Sequence, residues 1–270
     1  MRNKYNELQG ILRGLERVLI AFSGGVDSSF LLKAALETLG REKVFAVIAR
    51  SETYPESEIR AAVKLAKKLK ARYRVIKTCE LKDNRFLKNP VNRCYYCKHE
   101  LFSKLKVIAK KEGLNAVLDG ANYDDRLDFR PGSIAGKELG VRSPLKESKI
   151  TKNEIRLFSK KMKLSTWDKP SLACLSSRIP YGIKLEKKTL KMVGAAEDFI
   201  RGLGFRQLRV RHHKTVARIE VMPQDISRIL ALKEKIAEKL KKLGYTYVTV
   251  DLEGFRSGSM NLVHLKAGKK

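Results

Sequence analysis

Between residues 17 and 122, short apolar runs alternate with longer stretches in which apolar residues recur every three or four positions, and no other feature restricts the fold as much. The runs RVLIAF (17–22), KVFAVIAR (43–50), YRVIKT (73–78) and AVLDGAN (116–122) have the length and branched composition of buried strands. Between them lie helical patterns. Residues 27–40 set Phe30, Leu31, Ala34, Ala35 and Leu39 on one face and stop at Gly40. Residues 56–71 line up Ile59, Ala62, Val63, Ala66 and Leu69, and residues 94–113 end at Gly113. Strand and helix alternating at this spacing predict an α/β fold with a doubly wound parallel sheet. A short helix is expected over 131–140, and Thr151 with Glu154 has the capping-box spacing that opens a helix over 151–164.

From residue 168 the pattern changes. DKPSLACLSSRIPYG (168–182) is broken by proline, serine and glycine and reads as a loop. Beyond it come a helix (186–203), two strands (206–213 and 215–221) separated by Lys214 alone, a helix (223–243) and a strand (245–252). A tight hairpin is expected at Lys214, and the order resembles a ferredoxin-like half-sandwich without its first strand. The expected layout is an α/β domain over 1–170, a cysteine-bearing linker over 171–185 and a smaller α+β domain over 186–270.

Charge narrows the partners. The formal net charge is +29 over 270 residues. Such a field draws polyanions, nucleic acid and nucleotides. Lysine and arginine are also interleaved with glutamate along helices and glutamine is scarce, a pattern that fits a hyperthermophile surface equally well. Nucleic acid is therefore a possible partner but not the favoured one. No apolar run is long enough to cross a bilayer, and the first eighteen residues lack a signal-peptide core. The expected location is the cytoplasm, where four cysteines are not a disulfide framework.

The turn after the first apolar run reads SGGVDSS, residues 23–29. A glycine turn from strand to helix exposes backbone amides and the positive helix end, an anion site. Gly24 and Gly25 let the backbone close on the anion, with Val26 opening the helix. Ser23, Ser28 and Ser29 add hydroxyls, and Asp27 suits Mg²⁺ held against phosphate. Neither the Walker pattern nor the dinucleotide glycine pattern is present. An ordinary strand-to-helix turn with a capping serine is the alternative reading.

SGGVDSS resembles the PP-loop of the ATP pyrophosphatase superfamily, whose adenine nucleotide alpha hydrolase-like members hold the pyrophosphate of ATP while AMP passes to an acceptor oxygen. NRCYYCKHELF (92–102), LDGANYDDRLDFRPG (118–132), VRSPLKESKITKNEIR (141–156), KPSLACLSSRIPYG (169–182) and RVRHHKTVARIEV (209–221) together resemble the LarE family of ATP-dependent sulfur transferases. The resemblance implies AMP activation of the carboxylates of a pyridinium biscarboxylate mononucleotide, a small-molecule nucleotide substrate. Their conversion to thiocarboxylates would serve nickel-pincer nucleotide cofactor synthesis. It also implies a trimer or hexamer.

The implied ATP-binding set is the 23–29 loop with Ala49, Gly120, Asp124, Arg130 and Lys152. Asp124, Asp125 and Asp128 suit Mg²⁺ or ribose, and Arg130 suits a phosphate clamp; self-capping aspartates are the alternative. Lys98 and Arg142 sit in family-like motifs and suit phosphate or solvent. Cys94 and Cys97 form Cys-x-x-Cys at a helix start, where thiolates are favoured. The family's sulfur-donor cysteine corresponds to Cys174. The added pair implies a [4Fe-4S] cluster on Cys94, Cys97 and Cys174. Zinc on all four cysteines (Cys79 included) and a redox pair are the alternatives. Ser177 and Arg178, just after Cys174, are candidates to act with it and with Asp27 in catalysis.

In the second domain Arg209 and Arg211 alternate along a strand and share a face with His213, while His212 points away. The resemblance implies that they take the substrate phosphate. Glu220 is a candidate metal ligand or a cross-strand partner of the arginines. Trp167 and His264 read as structural. Two further functions compete: a tRNA thiolation enzyme resembling tRNA 2-thiocytidine synthetase, and a non-catalytic nucleotide-binding sulfur or metal carrier.

Overall fold

The structure, a computed structural model, describes residues 2–126, 131–170, 173–256 and 259. The sequence candidates Asp128, Arg130 and His264 lie outside the described residues. The chain divides into two compact units: residues 1–86 with 91–172, and residues 87–90 with 173–270.

The first unit opens with α1 (Arg2–Leu15) and continues β1 (Val18–Ala21), α2 (Val26–Leu39), β2 (Val44–Arg50), α3 (Glu56–Lys68) and β3 (Arg72–Lys77). The short α4 (Asn84–Leu87) leads to α5 (Arg93–Lys111), β4 (Ala116–Leu118), α6 (Pro131–Glu138), α7 (Pro144–Glu147) and α8 (Lys152–Lys161). The sheet runs β3-β2-β1-β4, and every pairing is parallel. Successive residues of each inner strand feed opposite faces. Val18 and Ile20 pack with Phe30, Leu31 and Ile155 on one side. Leu19, Phe45 and Val47 pack with Phe102 and Leu105 of α5 on the other. Burial on both faces explains why these strands read as continuous apolar runs.

The chain winds from β1 outward to β3, then crosses back to place β4 on the other side of β1. The carboxyl ends of β1 and β4 therefore flank the topological switch point, where open parallel sheets bind ligands. An isolated parallel bridge from Leu118 to Arg142 extends this edge.

The second unit contains α9 (Lys187–Gly202), β5 (Leu208–His213), β6 (Val216–Val221), α10 (Ile226–Ala231), α11 (Lys233–Lys242) and β7 (Tyr247–Val250). Its sheet order is β5-β6-β7, antiparallel then parallel. The hairpin turns at Lys214, which has φ 56°. The sheet follows the ferredoxin-like expectation without its first strand. The strand that intervenes in a split βαβ unit is the first one, and without it β7 bonds directly to β6 in parallel. The expected helix over 223–243 is interrupted at Leu232, which caps α10 and starts α11. Ile229 before the break and Ile236 after it both enter the core formed with Phe205, Val210 and Ile219. Residues 87–90 join this unit through backbone bonds. The Leu185 amide donates to the Leu87 carbonyl, and buried Asn89 donates its side-chain amide to the Pro180 carbonyl at 2.8 Å.

Among the described residues no helix is long and apolar enough to cross a membrane.

Candidate functional site

Each unit carries its own set of candidate side chains. In the first, the chain leaves β1 through Phe22, Ser23, Gly24 and Gly25 and enters α2. Gly24 has φ 70°, and a Cβ there would lie 2.8 Å from the Ala62 Cβ of α3, so only glycine fits. Gly25 is the N-cap of α2 and gives no side-chain cap. The first helical amides therefore lack an intrahelical partner and face the switch point. The Ser23 and Ser28 hydroxyls bond each other at 3.0 Å. Gly120, after β4, abuts this turn: a Cβ on it would stand 3.0 Å from the Ser28 nitrogen. Ser29 is fully buried beneath the loop.

Asp27 anchors a polar cluster. Its Oδ2 accepts from Lys152 Nζ at 2.5 Å, and its Oδ1 from Asn122 Nδ2 at 3.4 Å. The Lys152 amide donates to Asp124 Oδ2 at 2.8 Å, so the start of α8 is tied to the turn after β4. Asn122 is buried; its own amide donates to Asp125, and its side-chain oxygen accepts from the Asp124 amide. The expected capping box at Thr151 and Glu154 is present and sets the helix start from which Lys152 projects. Lys169 closes the other side of the loop. Its Nζ donates to the Gly24 carbonyl at 3.1 Å and pairs with Glu58 of α3 at 2.7 Å.

The sequence candidates divide accordingly. Ser23, Gly24, Gly25, Val26, Asp27, Ser28, Gly120, Asp124 and Lys152 stand around one turn. Ala49 lies in β2, near the carboxyl end of the strand beside β1. Arg142 is ion-paired with Glu147 rather than turned to this cluster. Lys98 Nζ lies 5.2 Å from the Phe102 ring centroid on α5. Asn122, Lys169 and Glu58 were not anticipated. Asn122 stands inside the quoted GANYDD motif, and Lys169 begins the quoted KPSLACLSSR motif. Glu58 had no sequence signal beyond its place on a predicted helix.

Cys94 and Cys97 occupy the first turn of α5; Cys94 is exposed and Cys97 half-buried. The Cys97 thiol donates to Glu80 Oε1 at 3.5 Å. Burial pushes the Glu80 carboxyl above the usual glutamate range, reinforced by the charge of Glu100 and opposed by its hydrogen bonds. Cys79 donates its amide to Glu100 at 2.8 Å.

In the second unit Cys174 is half-buried and caps a 3-10 turn over Leu175–Arg178. Its carbonyl accepts from the Ser177 hydroxyl at 2.8 Å and from Arg178 Nη1 at 3.0 Å. Arg178 is 1% exposed. It grips Glu197 of α9 with Nε at 2.7 Å and Nη2 at 2.9 Å, and also donates to the Ala173 carbonyl at 2.7 Å. Its donors are thus engaged by the protein, which places it as a support of the cysteine turn. Burial alone would raise the Glu197 carboxyl. The Arg178 charge and hydrogen bonds, with the Val210 amide, outweigh burial and hold it below the glutamate range.

Arg209 and Arg211 share one face of β5, as their alternation predicts. Arg211 reaches the Ser177 carbonyl at 3.0 Å and Glu220 at 2.7 Å. Glu220 lies opposite Arg209 in register and also accepts from Arg218 at 3.1 Å, so it is a cross-strand partner in this structure. Arg209 is buried with its guanidinium 5.0 Å from the Phe255 ring. Burial and the nearby Arg178 charge bring its pKa down to about 10, so it remains cationic at neutral pH. Burial likewise lowers the pKa values of His212 and His213. The turn bearing Cys174 therefore rests on a buried network with more guanidinium than carboxylate groups.

The NAD synthase family model matches residues 7–88, the part that builds the phosphate loop and its supporting helices. Pyridinium-3,5-bisthiocarboxylic acid mononucleotide synthase of Lactiplantibacillus plantarum is 40% identical over 267 residues, which cover 99% of this chain and 97% of that protein. The chain belongs to the LarE family. An uncharacterized protein of Synechocystis sp. is 41% identical, covering 98% of this chain and 100% of the other. An uncharacterized protein of Methanocaldococcus jannaschii is 33% identical, covering 90% and 92%. The LarE likeness thus includes both the loop-bearing and the cysteine-bearing unit.

Proposed function

We propose that this chain uses ATP to turn the carboxylates of a pyridinium biscarboxylate mononucleotide into thiocarboxylates, as an ATP-dependent sulfur transferase of nickel-pincer nucleotide cofactor synthesis. The observation that carries this reading is the 40% identity across nearly the whole length of both chains to a synthase of that bisthiocarboxylic product. The glycine loop at the switch point supports it.

A carboxylate resists sulfur because its oxygen leaves poorly. Attack of a carboxylate oxygen on the α-phosphorus of ATP forms an O–P bond and breaks the bond to pyrophosphate. Sulfur then attacks the acyl carbon, a C–S bond forms, and AMP leaves with the C–O electron pair; where that sulfur is the Cys174 thiolate, loss of the Cα proton to a base and cleavage of the Cβ–S bond release the thiocarboxylate and leave dehydroalanine. The residues of the first unit chiefly position and neutralise phosphate. The amides at the start of α2 and the hydroxyls of Ser23 and Ser28 receive the departing pyrophosphate. One carboxylate, Asp27, beside substrate phosphates is the donor set that Mg²⁺ accepts. Bound there, Mg²⁺ supplies charge neutralisation. Lys152 would leave Asp27 and turn to phosphate. Arg209 and Arg211 are assigned to the nucleotide phosphate of the substrate, and Ser177 and Arg178 to orienting Cys174.

Cys174 is the sulfur-bearing residue of this reading. For the [4Fe-4S] cluster, the donor set is incomplete in the first unit, which offers Cys94 and Cys97 on one helical turn. Among the described residues no three His, Cys, Asp or Glu side chains stand together as a metal group. The cluster on Cys94, Cys97 and Cys174 thus rests on the added Cys-x-x-Cys, and no step is derived through it. Iron and acid-labile sulfide analysis of anaerobically purified protein tests it, and one zinc per chain without iron would dismiss it. A cytoplasmic, trimeric or hexameric enzyme completes the proposal, with mass photometry as the check on assembly.

The reaction test supplies ATP and the biscarboxylate nucleotide and follows AMP, pyrophosphate and thiocarboxylate by mass spectrometry. All three should appear, with Cys174 either losing sulfur to become dehydroalanine or remaining intact. AMP formation only with tRNA, without thiocarboxylate, would overturn the reading.

A further inference from the structure

We infer that Lys169 is a positioning residue that locks the phosphate loop in its nucleotide-ready shape. The inference rests on the ATP-binding role proposed above and adds a residue which that reading does not name. Lys169 belongs to the turn after α8, and its placement is fixed from behind. Arg156 of α8 donates to the Trp167 carbonyl at 2.8 Å and to the Lys169 carbonyl at 3.0 Å. From this held backbone, the lysine side chain reaches two partners: the Gly24 carbonyl at 3.1 Å and Glu58 at 2.7 Å. The Lys169 and Glu58 side chains are 19% and 20% exposed, so water competes only partly for the pair.

The consequence follows from peptide geometry. The Gly24 carbonyl and the Gly25 amide belong to one planar trans peptide and point in opposite directions. Holding that carbonyl on Lys169 aims the Gly25 amide to the other side of the loop. A flipped peptide would present a carbonyl oxygen to an incoming phosphate, which repels it. Glycine permits such a flip more readily than other residues, and Gly24 and Gly25 are adjacent. The loop therefore needs an external lock, and Lys169 supplies it.

Glu58 makes the lock stiffer. It sits one helical turn before Ala62, the residue against which Gly24 packs. The same helix thus supports the loop by contact and orients the cation that fixes its carbonyl.

The test measures ATP dissociation constants by calorimetry and pyrophosphate release at saturating ATP. K169M should weaken ATP binding about tenfold, the loss of one charge-assisted contact, while the rate at saturating ATP changes less than about threefold. K169R should recover much of the affinity, because guanidinium keeps both charge and donors. E58Q should weaken ATP binding by about threefold with Lys169 in place. K169M/E58Q should be no worse than K169M alone, since Glu58 acts through the lysine. Unchanged affinity in K169M would overturn the inference, as would full additivity in the double variant. If K169M does not fold, unchanged affinity in E58Q overturns it and weakened affinity supports it. Wild-type protein that binds ATP but forms no thiocarboxylate defeats the sulfur-transfer reading alone. Normal thiocarboxylate formation with unaltered ATP affinity in K169M defeats this inference alone.

Discussion

Replacing Glu197 by glutamine tests whether the Cys174 turn is held by a charged, desolvated pair. Glu197 has no exposed surface, and Arg178 is 1% exposed. The carboxylate accepts two bonds from Arg178 and one from the Val210 amide at 3.0 Å. Removing one partner of a buried pair costs about 3–5 kcal/mol, because the other charge stays buried. Glutamine retains one acceptor oxygen but turns an NH₂ group toward guanidinium donors, so the lower figure of about 3 kcal/mol applies. At roughly 2–4 °C per kcal/mol for a chain of this size, Tm should fall by about 6–12 °C at pH 7. The pH dependence has a fixed sign. The folded pKa of Glu197 is depressed, so its contribution is present above the ordinary glutamate value of 4.5 and fades as pH falls through the folded value. The gap between wild type and E197Q should therefore narrow in acid. R178M/E197L, which removes both charges, should regain part of the lost Tm yet remain poor in sulfur transfer, because the Ala173 and Cys174 carbonyls lose their shared donor. Differential scanning calorimetry reads all three proteins. A Tm within about 2 °C of wild type for E197Q at pH 7, or a gap that widens in acid, would show that the pair does not bear the turn.

Three other perturbations address the remaining parts. D27N should lower pyrophosphate formation by roughly 10²–10³-fold, the scale for losing the charge neutralisation that Mg²⁺ on Asp27 would supply, and steady-state pyrophosphate release measures it. C174S should abolish thiocarboxylate while ATP affinity by calorimetry stays within about twofold, since the step assigned to Cys174 follows nucleotide binding. G24A should destabilise the protein by about 1–3 kcal/mol, because its φ of 70° and the 2.8 Å approach to Ala62 leave no room for a methyl group; A62G in the same chain should recover the steric share in thermal melts.

The parallel sheet was legible because both its faces are buried. Val18 to Ala21 and Val44 to Arg50 needed no alternation to read as strands, and the helices between them carry their apolar residues on one side. The helix α1 was less visible. Tyr5, Leu8, Leu12 and Leu15 have helical spacing, and Leu8 and Leu12 are fully buried, yet Gly10 and Gly14 interrupt the propensity. The break at Leu232 could not be read locally either, since Ile229, Ile236 and Leu240 suit one continuous helix and only the shape of the core divides them. At the phosphate loop the glycines and serines were legible through their backbone role. Lys169 was not, because one lysine in so basic a chain carries no signal until its partner, a carbonyl 145 positions away, is known.

Glu197 shows where a sequence signal existed and what it meant. On α9 the buried stripe runs through Leu190, Val193, Ala196 and Ile200, and Glu197 falls inside it. An acid on an apolar stripe requires a cation or a proton, since an unpaired buried carboxylate is costly. Its cation, Arg178, stands nineteen positions earlier in a loop, so the stripe predicts that a partner exists without naming it. The same reasoning applies to the arginines of this unit. Arg178 has its donors turned inward on Glu197 and on the cysteine turn, and Arg211, also buried, gives its donors to Glu220, the Ser177 carbonyl and the Ser259 hydroxyl. Loss of Arg178 should therefore disturb the geometry of Cys174 and the fold together. Loss of Arg211 leaves buried Glu220 to Arg218, so it should lower Tm as well as raise KM for the nucleotide.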